Sequence, residues 1–466
     1  MESQITPPHQ IVAEEKEPRV ERHLRLAKQV AMLQIITLGN VAAGSAISWP
    51  SPALSALEKD NSTLVGTVLV LTTAEKDLVG SLTFMGAILG TLNAGWMLSK
   101  FGRRQSLQLM GLPCIAGWMV LGLAPNTILF FTGRLLQGIV LGSMNNIGYV
   151  YIVESSDTNI RGMMALLSSL GISLGNLYTV AVGYALPWYY LCFVCAINAV
   201  MFTVVTFILP ESPSYLVIQG RRQDALSVLR SLRGKYADIE AEVRELEYMN
   251  SSSRSGWKGL LNKDTLHRIT AVATCFLLSQ MSGNYVMLVF TARILENTGA
   301  FMDPNAITAI AGVPRVAGTI AACFLMDRVG RRYSLLVSHA INAVCMIILG
   351  SYVYLAEAAT QNDDIFSKFS WVPMVCVMIS FLAWTLGVQT VPPIISSEYF
   401  PTNIRGQASS ICLTMGNVII FAMLQLYSPM LALLSQPGLF LFYGCSSILG
   451  VFFALFMVET RGKAIG

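Results

Sequence analysis

Glu154-Ser155-Ser156-Asp157-Thr158-Asn159-Ile160-Arg161-Gly162 and Glu398-Tyr399-Phe400-Pro401-Thr402-Asn403-Ile404-Arg405-Gly406 decide the fold. The Thr-Asn-Ile-Arg-Gly string is unchanged between them, and the spacing from acid to arginine is the same. Two more motifs recur in the same order. Phe101-Gly102-Arg103-Arg104-Gln105-Ser106-Leu107 returns as Val329-Gly330-Arg331-Arg332-Tyr333-Ser334-Leu335, and Pro210-Glu211-Ser212-Pro213 is echoed by Val458-Glu459-Thr460-Arg461-Gly462. Three echoes in one order mark a duplicated unit.

The sequence around these echoes is apolar. Of 466 residues, 54% are hydrophobic and only 12% charged, where a water-soluble chain carries about 25% charged residues. An ordinary soluble enzyme is excluded by that deficit. The apolar residues gather into twelve blocks of bilayer length: 29–54, 78–98, 106–124, 127–153, 163–185, 188–209, 269–294, 304–326, 334–356, 371–396, 407–432 and 438–458. Six precede and six follow a polar stretch, 210–268, which holds ten Lys/Arg and eight Asp/Glu. That stretch reads as a soluble linker with short amphipathic helices such as Arg222–Leu232. The spans divide into an N-terminal six-helix bundle, 29–209, and a C-terminal one, 269–458. A tail, 1–28, lacks the apolar core of a cleaved signal, and 459–466 closes the chain.

Orientation follows from the basic residues. Lys100, Arg103, Arg104, Arg161, Arg328, Arg331, Arg332 and Arg405 fall in one set of loops, whereas Glu58, Asp60, Glu75, Asp77, Asp303, Asp363 and Asp364 fall in the other. The basic side is expected to be cytosolic, with both termini there. Asn61-Ser62-Thr63 then lies outside and is a candidate glycosylation site at Asn61, whereas Asn250-Ser251-Ser252 lies in the cytosol. The net charge of +4 is too small to point to nucleic acid. The nine cysteines lie in apolar runs without metal-ligand spacing and read as buried hydrophobes, so neither a metal nor a cofactor is expected.

These motifs resemble the sugar porter family of the major facilitator superfamily over essentially the whole chain. Gly133-Arg134-Leu135-Leu136-Gln137-Gly138, Pro210-Glu211-Ser212-Pro213-Ser214-Tyr215-Leu216 and Glu459-Thr460-Arg461-Gly462-Lys463 carry the same resemblance. Ser48-Trp49-Pro50-Ser51-Pro52-Ala53-Leu54 is similar to the exit of span 1 in the insect facilitated trehalose and glucose transporters. The resemblance implies an all-α membrane fold of twelve transmembrane helices in two pseudo-symmetric bundles. It implies a sugar substrate carried by alternating access. It also implies a cytosolic gate of charge pairs built from Arg104, Arg134, Glu154, Arg161, Glu211, Arg332, Glu398, Arg405 and Glu459.

Transferred position by position, the family's sugar site is incomplete. Gln280 is kept, Ser279 replaces a Gln, Tyr285 stands where Asn is expected, and Asn284 is one residue early. Ser169 takes a Gln position in span 5, Pro393 a Trp position in span 10, and Gly416-Asn417 replaces an Asn-Trp pair in span 11. Trp384 is a candidate for stacking on a ring, and Gln34 and Asn40 are further neutral candidates. Arg315 stands in span 8 where the family has Asn or Gln. Twelve residues from Asp327 at about 1.5 Å per residue, it lies roughly 18 Å deep, and a cation there is expected to face water or substrate.

Span 1 contains no acid to carry a proton, so facilitated diffusion is expected. Neither a P-loop nor a nucleophile elbow is present, which argues against ATP drive and against an enzyme. The leading reading is a cell-membrane facilitator for trehalose or a hexose. The alternatives are a transporter of a polyol or small organic anion, or a non-transporting sensor on the same fold.

Overall fold

The computed structural model describes residues 19–157, 160–234, 237–252, 263–296, 304–358, 369–400 and 404–459. Span 1 consists of α1 (Arg19–Ser48) and α2 (Pro50–Lys59), which join through helical Trp49, where Pro50 interrupts the hydrogen-bond ladder. α3 (Thr73–Gly122) supplies spans 2 and 3 as one helix bent at Gly102, where φ is 83° and ψ −174°. That backbone region is accessible essentially to glycine alone, which is why the expected pair of separate spans is joined through a Gly-Arg-Arg corner. α4 (Thr127–Ser155), α5 (Arg161–Ala185) and α6 (Trp188–Val205) complete the first half.

The polar stretch forms α7 (Pro213–Ile218), α8 (Arg222–Arg233) and α9 (Ile239–Ser252). They share a small core of Leu216, Val217, Ala225, Leu229, Ile239 and Val243. The second half opens with α10 (Lys263–Met281), inside the stretch expected to be linker. α11 (Asn284–Glu296) continues span 7 past Gly283. α12 (Pro304–Val329) and α13 (Arg331–Ala358) follow. Span 10 is α14 (Val372–Ala383), a π-helical turn at Trp384–Val388, and α15 (Val391–Glu398). α16 (Arg405–Gln425) ends seven residues earlier than the 407–432 block implied, and α17 (Tyr427–Phe456) is bent at Ser435, with φ 59°, two residues before Pro437.

Large apolar side chains face outward along the bundle, among them Ile128, Ile208, Phe324 and Phe456. A soluble protein would bury them, whereas a bilayer solvates them. Inside, helices cross backbone to backbone. A Cβ on Gly138 of α4 would lie 2.1 Å from the Thr83 carbonyl of α3, so glycine sets the closeness of that crossing. Ten helices among the described residues are long and apolar enough to cross a membrane. The bend in α3 makes one of them two spans, and α5 is a further helix of 25 residues. The arrangement is the all-α membrane fold of twelve helices in two halves expected from the sequence.

Candidate functional site

The middle of the bundle is built where span 7 breaks. Gly283 has φ +81°, and a Cβ there would meet the Tyr443 ring at 2.4 Å, so only glycine fits both the backbone and the space. The break turns the residues on either side in different directions. Gln280 is 7% exposed, and its buried Oε1 has no hydrogen-bond partner. Asn284 points elsewhere. Its Nδ2 donates to Ser282 Oγ at 3.1 Å and to Asn342 Oδ1 at 3.1 Å, and its Oδ1 accepts from Ser380 Oγ at 2.8 Å. Asn342 donates in turn to Ser447 Oγ at 2.8 Å and to the Ser282 carbonyl at 3.2 Å. This network ties spans 7, 9, 10 and 12 of the second half together. It occupies both donors of the Asn284 amide, so the expected substrate role of Asn284 is corrected to an interhelical tie. Asn40 plays a similar part in the first half, donating to Ser168 Oγ.

Three of the expected residues do come together. The Tyr285 ring meets Trp384 edge-on at 4.9 Å and Phe84 of α3 at 5.5 Å. The Arg315 guanidinium sits 4.7 Å from the centre of the Trp384 ring. Trp384 and Arg315 are each 1% exposed, so the indole expected to stack on a ring is covered by protein groups. Nε, Nη1 and Nη2 of Arg315 are buried without a hydrogen-bond partner.

Arg315 lies on the stripe of α12 that faces the first half. Thr319, four residues on, meets Ser173 Oγ of α5 at 2.8 Å, and Gly312 abuts Leu177 of α5. Half-buried Ser169 lies one turn from Ser173 on the same face of α5. Asn417 of α16 reaches Thr91 Oγ1 of α3 at 3.4 Å. Ser173–Thr319, Thr91–Asn417 and Phe84–Tyr285 thus form a seam between the halves. Ser173, Thr319 and Phe84 were not singled out from the sequence, because nothing in an apolar span marks which face meets the other half.

The repeated motifs lie together at one end of the bundle, the motif face. Arg103 Nη2 pairs with Glu154 Oε1 at 2.7 Å, and Arg331 Nη2 with Glu398 Oε1 at 3.0 Å. Glu211 Oε1 accepts the backbone N–H groups of Arg103 at 2.9 Å and Arg104 at 3.1 Å. Glu459 likewise accepts those of Arg331 at 3.0 Å and Arg332 at 3.1 Å. Gly102 and Gly330, with φ of 83° and 96°, break the chain just before these amides. Each carboxylate therefore caps the positive end of a newly started helix.

The expected arginine roles are corrected here. The ion pairs belong to Arg103 and Arg331. Arg104 instead donates to the Phe207 carbonyl at 2.8 Å, and Arg332 to the carbonyls of Ala454 at 3.2 Å and Leu455. Each of these pairs stays inside its own half. The side chains of Arg161 and Arg405 lie outside the described residues.

Arg134 does not belong to that gate. It stands near the start of α4, whereas Glu154 ends the same helix, twenty residues or about 30 Å away. Fully buried, it donates Nε to the Val79 carbonyl at 3.0 Å and Nη1 to the Ala46 carbonyl at 2.8 Å and to Gln137 Oε1 at 2.8 Å. Its guanidinium lies 5.4 Å from the centre of the Trp49 ring. The Ala46 carbonyl needs such a donor because Pro50, four residues on, has no N–H to offer. Arg134 replaces the hydrogen bond that Pro50 removes from span 1.

The face opposite the motifs carries contacts that cross between the halves. Asp77, 1% exposed, accepts from Ser428 N at 3.1 Å and Ser428 Oγ at 2.8 Å. Ser81 Oγ donates to Gln425 Oε1 at 2.8 Å, and Ser51 Oγ accepts the Ala292 N–H at 3.4 Å. Glu58 pairs with Lys76 at 2.7 Å and lies 3.8 Å from Arg293 Nε of α11. Asn61 is exposed on this face, in the turn between α2 and α3.

Residues 41–465 match the family model described as "Sugar (and other) transporter". The chain is similar to the facilitated trehalose transporters Tret1 of Drosophila virilis, 27% identical over 97% of this chain and 50% of that protein, and of Bombyx mori, 28% identical over 92% and 84%. It spans about half the length of the fly relatives it matches. Among solved structures it is similar to the proton:xylose symporter XylE bound to 6-bromo-6-deoxy-D-glucose, with TM-score 0.77, 21% identity, and coverage of 95% of this chain and 98% of that one. It also matches XylE from E. coli in an inward open conformation, with TM-score 0.76, 20% identity, and coverage of 94% and 98%.

Proposed function

This chain belongs to the sugar (and other) transporter family, and from that premise we propose that it moves a sugar of the trehalose or hexose kind across the cell membrane by facilitated diffusion. The observation that carries the reading is the seam. Polar and aromatic groups of both halves meet there, and Gln280 and Arg315 hold unpartnered polar atoms. On the face opposite the motifs, the Asp77–Ser428 contact holds the seam shut. Alternating access follows if residues 29–209 rock against 269–458, opening one face as the other closes.

In this reading the motif face and both termini are cytosolic, since that face gathers the basic residues. Asn61 is then extracellular and glycosylated. The absence of a carboxylate from residues 29–54 supports movement down the gradient rather than proton coupling.

Purified full-length protein in proteoliposomes should take up radiolabelled trehalose or a hexose saturably, reaching equilibrium without accumulation and without needing a pH gradient. Folded protein that carries no member of a disaccharide, hexose and pentose panel would overturn the sugar assignment. Accumulation driven by an imposed pH gradient would overturn facilitated diffusion. In cells, glycosidase treatment should sharpen the electrophoretic band of the native chain and leave Asn61→Gln unmoved.

A further inference from the structure

We propose that Arg315 is the receptor for a carboxylate, so that the sugar taken by this seam is one bearing an acid group, as a uronate does. The inference rests on the reading of the chain as a sugar facilitator and narrows the sugar.

Position comes first. Arg315 shares its stripe of α12 with Gly312 and Thr319, both of which touch α5 of the other half. Its side chain therefore belongs to the seam rather than to the lipid face or to a core within one half. Burial comes second. At 1% exposure, with Nε, Nη1 and Nη2 all unpartnered, the group has lost water and gained no acceptor. A guanidinium is charged at any physiological pH and presents a planar fork of donors.

The protein itself supplies the control. Arg134, in the other half, is equally buried, yet its Nε and Nη1 reach Val79 O, Ala46 O and Gln137 Oε1. Only Nη2 of Arg134 is left without a partner, whereas Arg315 has none for Nε, Nη1 or Nη2.

The neighbours define the shape of the missing acceptor. Trp384 holds the guanidinium carbon 4.7 Å over its ring, a contact with the charge that uses none of the N–H donors as hydrogen bonds. A planar, bidentate acceptor matches that fork of donors. The same contact covers the indole on which a neutral sugar ring would stack. Charge separates the two common oxyanions. One guanidinium and one carboxylate make a neutral pair at mid-depth, whereas a phosphate monoester carries about −1.5 to −2 and leaves negative charge over. The Gln280 Oε1, buried and unpartnered, is an acceptor suited to a sugar hydroxyl.

The test is calorimetric binding of D-glucuronate, D-glucose and glucose 6-phosphate to purified full-length protein near neutral pH, with uptake of the same solutes into proteoliposomes. Glucuronate should bind about tenfold or more tightly than glucose and more tightly than the phosphate ester. Arg315→Gln should bring the glucuronate-to-glucose ratio to about one, and Arg315→Lys, which keeps the charge and loses the fork, should fall between. Glucose carried with no preference for glucuronate, or a preference unmoved by Arg315→Gln, overturns the inference and leaves sugar facilitation standing. Tighter binding of glucose 6-phosphate overturns the carboxylate assignment. If folded protein binds and carries none of the three solutes, nor trehalose, the sugar reading fails and the inference with it. Should Arg315→Gln fail to elute as a folded monodisperse species, the ratio measured on the native protein decides.

Discussion

The two ends of the bundle hold themselves together by opposite means. On the motif face the chemistry is written twice, Arg103–Glu154 with Glu211 in one half and Arg331–Glu398 with Glu459 in the other, and each set closes on its own half. On the opposite face it is written once. Asp77, Ser81, Ser51 and Glu58 of the first half reach Ser428, Gln425, Ala292 and Arg293 of the second. Duplication conserves what makes each half a rigid unit, because those contacts form within the copied segment. A contact between the copies is not inherited with either of them and has to be built after the duplication. The face opposite the motifs therefore holds the two halves to each other, while the motif contacts hold each half together.

That division can be broken most sharply at Asp77. Asp77→Ala removes two charge-assisted hydrogen bonds across the seam, at about 1.5–3 kcal/mol each, so the closed face should weaken by at least about 3 kcal/mol, a shift of roughly a hundredfold or more in the open-to-closed ratio. Spin labels at Glu75 and Leu433, with the accessible Cys445 and Cys323 changed to Ser, should report a new population at longer separation. An unchanged distance distribution would show that the seam is held elsewhere.

A smaller effect tests the independence of the halves. Glu154→Gln and Glu398→Gln should each lower stability by roughly 1–2 kcal/mol, since each ion pair is partly buried. As the two pairs lie in different halves and have no residue in common, the double variant should be additive to within about 0.5 kcal/mol in detergent unfolding. Strong coupling would mean that the motif clusters communicate. The smallest change is expected at Glu58→Gln. Both Glu58 and Lys76 keep solvent contact, so the loss should stay below about 1 kcal/mol and vanish in molar salt, as melting in low and high salt would reveal.

Much of the fold was legible because apolar blocks and repeats are one-dimensional signals. The bend in α3 could be read from Gly102 followed by two arginines. The choice between those arginines could not. Adjacent residues on a helix point about 100° apart, and the phase after a glycine break depends on how the new helix packs, so Arg103 rather than Arg104 meets Glu154. Arg134 was misplaced although its position was readable. Span 4 begins at Thr127 and ends beside Glu154, which puts Arg134 at the far end of the helix from the gate, and Pro50 already announced an orphan carbonyl in span 1.

At the candidate site, the anomaly of Arg315 was visible as a lone cation in an apolar run, and Tyr285 and Trp384 gather around it as neighbours. Asn284 looked equally suitable. A polar side chain in a buried helix can face its own half, the other half or the lipid. Only the turn at Gly283 and the positions of Asn342 and Ser380 show that Asn284 faces inward to its own half.

By itself the sequence determined that this chain spans a bilayer twelve times, that it is two copies of one unit, and that one cation sits where charge is costly. Those properties are sums over composition, spacing and repetition, and no neighbour is needed to read them. The tertiary structure alone decided which arginine pairs with which acid, that Arg134 mends a helix, and that Arg315 faces the seam with its donors unmet. These depend on helix rotation and on contacts between distant segments, which the energetics of packing fix and the order of residues does not state.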